Sequence, residues 1–153
     1  MPNKLFNTTF ENALRLLILL DVYEYPQTLD MLYAIDFMTT YGKTFKITEA
    51  NLNGDNQYKF SEFASRREAV KTALKALVLY GLVQALNLND GIAYIISSDG
   101  EDYCNSLESE YATEYRRNAQ LVIKSVTGKT ERELISNINK MSAKSLMEEE
   151  PRE

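Results

Sequence analysis

Histidine is missing altogether, and cysteine occurs once, at Cys104. The first absence removes the side chain that most often serves as a general base or a metal ligand. The second excludes an internal disulfide, and with no histidine to join it nothing remains from which to build a structural zinc site. A chain of this kind suits a reducing compartment. Long apolar runs are lacking too. Leu16-Leu17-Ile18-Leu19-Leu20 falls far short of the about 20 residues a bilayer demands, and the first residues have neither the charged opening nor the small-residue cleavage site of a secretory signal. The expectation is a cytoplasmic protein that needs no membrane and no cofactor. Only 3 prolines and 6 glycines occur in 153 residues, which argues against a disordered chain. Positive charge is in deficit, with 17 lysines and arginines against 22 acids. A free-standing nucleic-acid binder shows a basic stripe, because phosphate neutralisation supplies most of its affinity.

What is present reads as an α-rich chain of one domain. Thr8-Thr9-Phe10-Glu11 has the spacing of a capping box. The helix it opens, about residues 10–23, is apolar around nearly its whole circumference, and such a helix sits at the centre of a core. Tyr25-Pro26 ends it, and Thr28 caps a second helix that closes at Gly42. A polar, turn-rich stretch at 43–60 follows, long for a connection in a compact domain. Ser61 opens a third helix to about Tyr80. Leu82 to Asn87 and Ile92 to Ser97 read as two strands around Asn89-Asp90-Gly91, a hairpin signal. A fourth helix is expected over about 101–126 and a last one after a second capping box, Thr130 to Glu133. Three helices, a hairpin and further helices give a winged helix-turn-helix: a core at 1–100 with a polar insertion at 43–60, a C-terminal helical extension at 101–147 and a disordered acidic tail at 148–153.

Two motifs are decoys. Gly128-Lys129-Thr130 imitates the end of a phosphate-binding loop, but Ile123 stands where that loop needs glycine, and the backbone cannot wrap a phosphate. Asn51 to Gln57 lacks the ordered acids and terminal glutamate of a calcium loop. No pair of carboxylates points to catalysis, and no residue is assigned a catalytic role.

The candidates for partner contact lie elsewhere. The third helix carries Arg66, Arg67, Lys71 and Lys75 against Glu62 and Glu68, a surplus too small to grip many phosphates. Arg66 and Arg67 straddle its apolar arc, at about 60° and 40° from Phe63. Arginines so placed either pair with acids beside the core or present their guanidinium groups to a partner. From Leu82 to Gly100 the wing has no lysine or arginine, and its second strand is apolar on both faces. A phosphate-gripping wing needs donors at its tip, so this one favours protein contact. The expected fourth helix would extend about 39 Å, with Tyr103, Tyr111 and Tyr115 as amphipathic rings suited to an interface.

Longer segments add a likeness. Leu5 to Asn12 with Leu14 to Leu17, then Leu32 to Phe37, Tyr41 to Lys43, Asn53 to Asn56, Tyr58 to Glu68 and Leu107 to Ser109 with Tyr111 resemble the middle component of ABC-three-component systems. The likeness spans residues 5 to about 146. It implies a winged-helix subunit, similar to the accessory proteins of SMC complexes, that links an SMC-like ABC ATPase to an effector such as a nuclease in Lamassu-like antiphage defence. ATP hydrolysis and DNA cleavage would then belong to partners, with DNA contacted through the complex. Tyr58 and the segment 43–60 join Arg66, Arg67, Lys71, Lys75, Tyr111 and Tyr115 as the expected contact surface. The alternative is a winged-helix transcription regulator binding DNA through the third helix as a homodimer.

Overall fold

A computed structural model describes residues 8–52, 54 and 58–149. The turn-marking Asn53, Asp55 and Asn56 and the tail from residue 150 lie outside the described residues. In chain order the elements are α1 (Thr9–Val22), β1 (Gln27–Thr28), α2 (Leu29–Thr40), α3 (Lys59–Leu79), β2 (Val83–Leu88), β3 (Gly91–Ile96), α4 (Ser98–Asn105), α5 (Glu110–Ser125) and α6 (Glu131–Glu149). The fold is mainly helical with a small antiparallel sheet, a winged-helix-like α+β arrangement.

Local chemistry sets the helix starts. The Thr8 hydroxyl accepts from the Glu11 amide and the Thr28 hydroxyl from the Met31 amide. At α6 both arms of the capping box close: Thr130 Oγ1 accepts from the Glu133 amide, and the Glu133 carboxylate accepts from the Thr130 amide. Each satisfies a donor that the first helical turn leaves unpaired, worth about 1 kcal/mol. Thr28 has further duties. It pairs with Ala93 of β3, and its hydroxyl donates to Glu131 at the start of α6.

The sheet differs from the expected hairpin by one strand. Its order is β1-β3-β2, so the short Gln27–Thr28 segment covers the outer edge of β3. Two residues leave too little periodicity to reveal a strand in sequence. The hairpin itself follows its turn, with Leu88 paired to Gly91 across Asn89-Asp90. Gly100 is fixed by packing: a Cβ there would lie 2.1 Å from the Leu82 carbonyl oxygen, so only glycine lets α4 start against the sheet.

The expected single helix over 101–126 is two. It stops at Asn105, and Ser109 caps α5 by accepting from the Ala112 amide. Ser106 and Ser109 supply local hydrogen bonds that compete with helix continuation. The apolar spacing carried on through Leu107 and hid the break. Of the segment 43–60, the described part is compact rather than loose. Gly42 accepts from the Ile47 and Thr48 amides, and a Cβ on Gly42 would meet Thr48 Oγ1 at 2.5 Å.

One continuous core runs from α1 to α6. Leu16 to Leu20 are all buried, as a centrally placed helix requires. Phe37, Leu74, Val122, Leu134 and Ile138 come from four other helices to meet it. Each fully buried leucine, isoleucine or phenylalanine contributes about 1.5–3 kcal/mol.

Candidate functional site

Two features stand out from this frame, and α1 takes part in both. The first is a charged cluster in the interior. Arg15 on α1 and Asp36 on α2 are each almost wholly buried. Arg15 Nε donates to Asp36 Oδ1 at 2.9 Å, and its Nη2 donates to Asn12 Oδ1 and, at 3.5 Å, to Asp36 Oδ2. Arg66 on α3 donates to Asp36 Oδ2 at 2.8 Å, and the Tyr115 hydroxyl on α5 donates to Asp36 Oδ1 at 2.7 Å. Four helices thus converge on one carboxylate. Among the described residues no buried side-chain nitrogen or oxygen lacks a hydrogen-bond partner. That is the condition under which buried polar groups are tolerated.

The electrostatics fit a structural role. Burial works against the Asp36 charge, but Arg15, Arg66 and two side-chain hydrogen bonds outweigh it and hold the carboxyl below its ordinary range. Burial, then the Asp36 charge, pushes the Tyr115 phenol well above its ordinary value. Tyr111 rises to about 12, chiefly by burial and against the pull of Arg15. Catalytic acids and bases need pKa values near the working pH, and these groups are driven away from it. Cys104 is also raised to about 12, first by burial and then by Asp21, so its thiolate is suppressed.

The second feature is an apolar groove of about 640 Å³ between the first turns of α1, the end of α3 and α4. Phe10, Ala13, Leu14, Ala76, Tyr80 and Tyr103 line it, above a floor of the buried Leu17 and Leu77. Its walls are unusually open for their size and apolarity: Phe10 is 61% exposed, Tyr80 80% and Tyr103 37%. Leu79, beside Tyr80, is 86% exposed. Exposed apolar side chains clustered in this way mark contact surfaces, whereas isolated ones are ordinary.

The residues singled out in sequence fall into three groups. Tyr115 is fully buried and belongs to the Asp36 cluster, and Tyr111 packs beside it with ring centroids 6.4 Å apart. Arg66, only 12% exposed, is committed to the same carboxylate and lies 6.0 Å from the Phe37 ring centroid. Of the two readings open for an arginine beside the core, the structure gives Arg66 the ion pair. Arg67 also pairs, with Asp30 at 2.8 Å, but nearer the surface. Lys71, Lys75 and Tyr58 are exposed. They do not converge with the tyrosines of α5.

Sequence reasoning passed over Asp36 and Arg15 as chemistry, and Phe10 and Tyr80 as surface. A signal existed for the first pair. Asn12, Arg15 and Asp36 are polar residues set among apolar neighbours in helices with little polar face, and such residues must find partners. Phe10 gave no such signal, because its spacing matched the core residues of α1.

Among the described residues no helix is long and apolar enough to cross a membrane, and no group of His, Cys, Asp and Glu could hold a metal ion. No curated protein and no solved structure matches the chain. A family does match, over residues 5–148, nearly the whole length. The chain belongs to the family described as ABC-three component (ABC-3C) system Middle Component 2.

Proposed function

We propose that this chain is a non-catalytic adaptor that joins an SMC-like ABC ATPase to an effector, such as a nuclease, in a cytoplasmic antiphage defence complex. Membership in a middle-component family supports protein partners as the natural company of the chain. The observation that carries the reading is the groove: an apolar surface this open stays unfavourable in water until another polypeptide covers it. The ionisable groups drawn into the interior around Asp36 support the non-catalytic part, since they hold helices together and titrate far from neutrality. Arg67, Lys71, Lys75 and Tyr58 remain contact candidates on a second surface, available to the other partner or to DNA held by the complex.

Co-expression of the full chain with the products of its two neighbouring genes tests the reading. The expected outcome is a stable complex that survives moderate salt. Titration of the isolated chain with duplex DNA supplies the opposing outcome. Tight, sequence-specific binding at moderate salt, with no complex formed, would establish a transcription regulator instead.

A further inference from the structure

The two edges of the sheet are built differently. On the β1 side the edge strand has two residues, Pro26 precedes it and α2 follows at once, so little main chain is offered for pairing. On the other side β2 runs for six residues, Val83–Leu88, in unbroken register with β3. It has no proline, no charged residue and no bulge, the usual devices that keep an edge from pairing. The Ser97 amide donates to the Leu82 carbonyl, which marks that pair as a hydrogen-bonded one. Alternation then turns the N–H and C=O groups of Gln84, Leu86 and Leu88 toward β3, and those of Val83, Ala85 and Asn87 outward. Among the described residues no turn, cap or loop bond uses these outward groups, and Ala85 and Asn87 are exposed. Such a row of open donors and acceptors is a template for another strand.

We propose that two copies of this chain pair along β2, antiparallel about a two-fold axis at Ala85, so that their sheets become one. The outward groups fit this register. Ala85 meets Ala85 of the second copy, Val83 meets Asn87 of the second copy, and every outward donor faces an outward acceptor. On one face of the joined sheet Gln84 stands opposite Leu86 of the second copy. Leu88, 50% exposed, stands on that face opposite the half-buried Leu82 of the second copy. The side chain on the axis, where self-contact is closest, is the small one of Ala85. Like charges directly opposite would oppose a self-paired edge. Asp90 is the only charged residue between Leu82 and Ser97, and the antiparallel arrangement puts its two copies at opposite ends. The strand is thus complementary to itself, as a two-fold interface requires and a site for an unrelated peptide does not. The closed pair presents every other contact surface of the chain in duplicate to the remaining components.

Sedimentation equilibrium of the full chain tests the pairing, and the natural chain should sediment as a dimer. Ala85→Lys and Ala85→Glu should each weaken dimerisation by roughly fivefold or more, because like charges then meet on the axis, and mixing the two should restore it. Both changes fall at an exposed position, so circular dichroism and the urea midpoint should stay those of the natural chain. Ala85→Pro removes an N–H that only the second copy uses, and should abolish the dimer while the fold persists. Should that variant unfold, the charge pair still decides. Oxidation checks the register. Ala85→Cys should form a disulfide between copies, whereas Leu88→Cys, also exposed, should not, since the two-fold holds its copies far apart. A monomeric natural chain, a dimer that survives Ala85→Pro, charge variants that fail to rescue each other, or equal cross-linking at positions 85 and 88 overturns the inference. In the assembled complex, a photo-cross-linker carried on the Ala85→Cys thiol should capture a second copy. Capture of residues 1–7 of the same chain, or of a segment of another component, also overturns it. A complex that forms with one copy of the chain removes the dimer and leaves the adaptor reading standing.

Discussion

On α1, Arg15 lies almost entirely out of water against Asp36, while Phe10, less than two turns away, is 61% exposed. Polarity alone would reverse the two. The arginine is inside because Asp36 and Asn12 meet its donors, and because Arg66 and Tyr115 complete the shell around the carboxylate. The phenylalanine lies on the face of α1 that meets the end of α3 and the short α4, where the described residues leave an open groove. A buried charge therefore reports on the internal assembly of the domain, and an exposed aromatic ring reports on what assembles with it.

Removing the centre of the buried cluster should have the largest effect. Asp36→Ala leaves two guanidinium groups facing each other without a counter-ion, and the loss should reach about 3–5 kcal/mol, read from urea unfolding. Replacing the whole cluster is expected to act in the opposite direction. A chain with Asn12→Leu, Arg15→Met, Asp36→Leu, Arg66→Met, Tyr111→Phe and Tyr115→Phe removes the cluster as a whole, and should be neutral or up to about 1–4 kcal/mol more stable. If both variants were equally destabilised, the contrast between pairing and burial would fail.

The natural chain and the cluster replacement separate in acid. Because the folded Asp36 pKa lies below its unfolded value, its contribution is complete above about pH 4 and is lost as pH falls through that region toward the folded value. The natural chain should lose stability as pH drops below about 4, and the cluster replacement should lose less, measured as the shift of the unfolding midpoint.

Graded exposure gives the next distinction. Arg66→Ala should cost about 1.5–3 kcal/mol, since it removes a charged hydrogen bond to a buried carboxylate. Arg67→Ala, whose side chain is 46% exposed, should cost under about 1 kcal/mol in the same unfolding measurement. Smallest of all is the expected effect of Tyr80→Ser on folding, within about 0.5 kcal/mol, although the same change should weaken association with the partner that covers the groove in the co-expression assay. A large loss of stability there would mean that Tyr80 serves the core.

Much of the architecture could be read before any coordinates. The caps at Thr8, Thr28 and Thr130, the Asn89-Asp90-Gly91 turn and the all-round apolar α1 are local signals, each decided within a few residues. The split between α4 and α5 was harder, because apolar spacing and serine capping gave opposite instructions between Asn105 and Glu110. The strand at Gln27 and Thr28 left no periodic trace.

The third helix begins at Lys59 rather than at Ser61, with no side-chain cap. What the sequence determined by itself was the starts of α1, α2 and α6, the wing and the central place of α1. It did so because capping, turn chemistry and apolar periodicity act between residues close in the chain. Only the tertiary structure decided that Arg66 and Tyr115 face inward, that Asp36 gathers four helices, and that Phe10, Tyr80 and Tyr103 form one open groove. Those outcomes depend on groups far apart in the chain, as in the bond from Tyr115 to Asp36 across 79 residues. Spacing along a helix places a residue on a face, and the partners that the fold brings to that face decide whether it meets water.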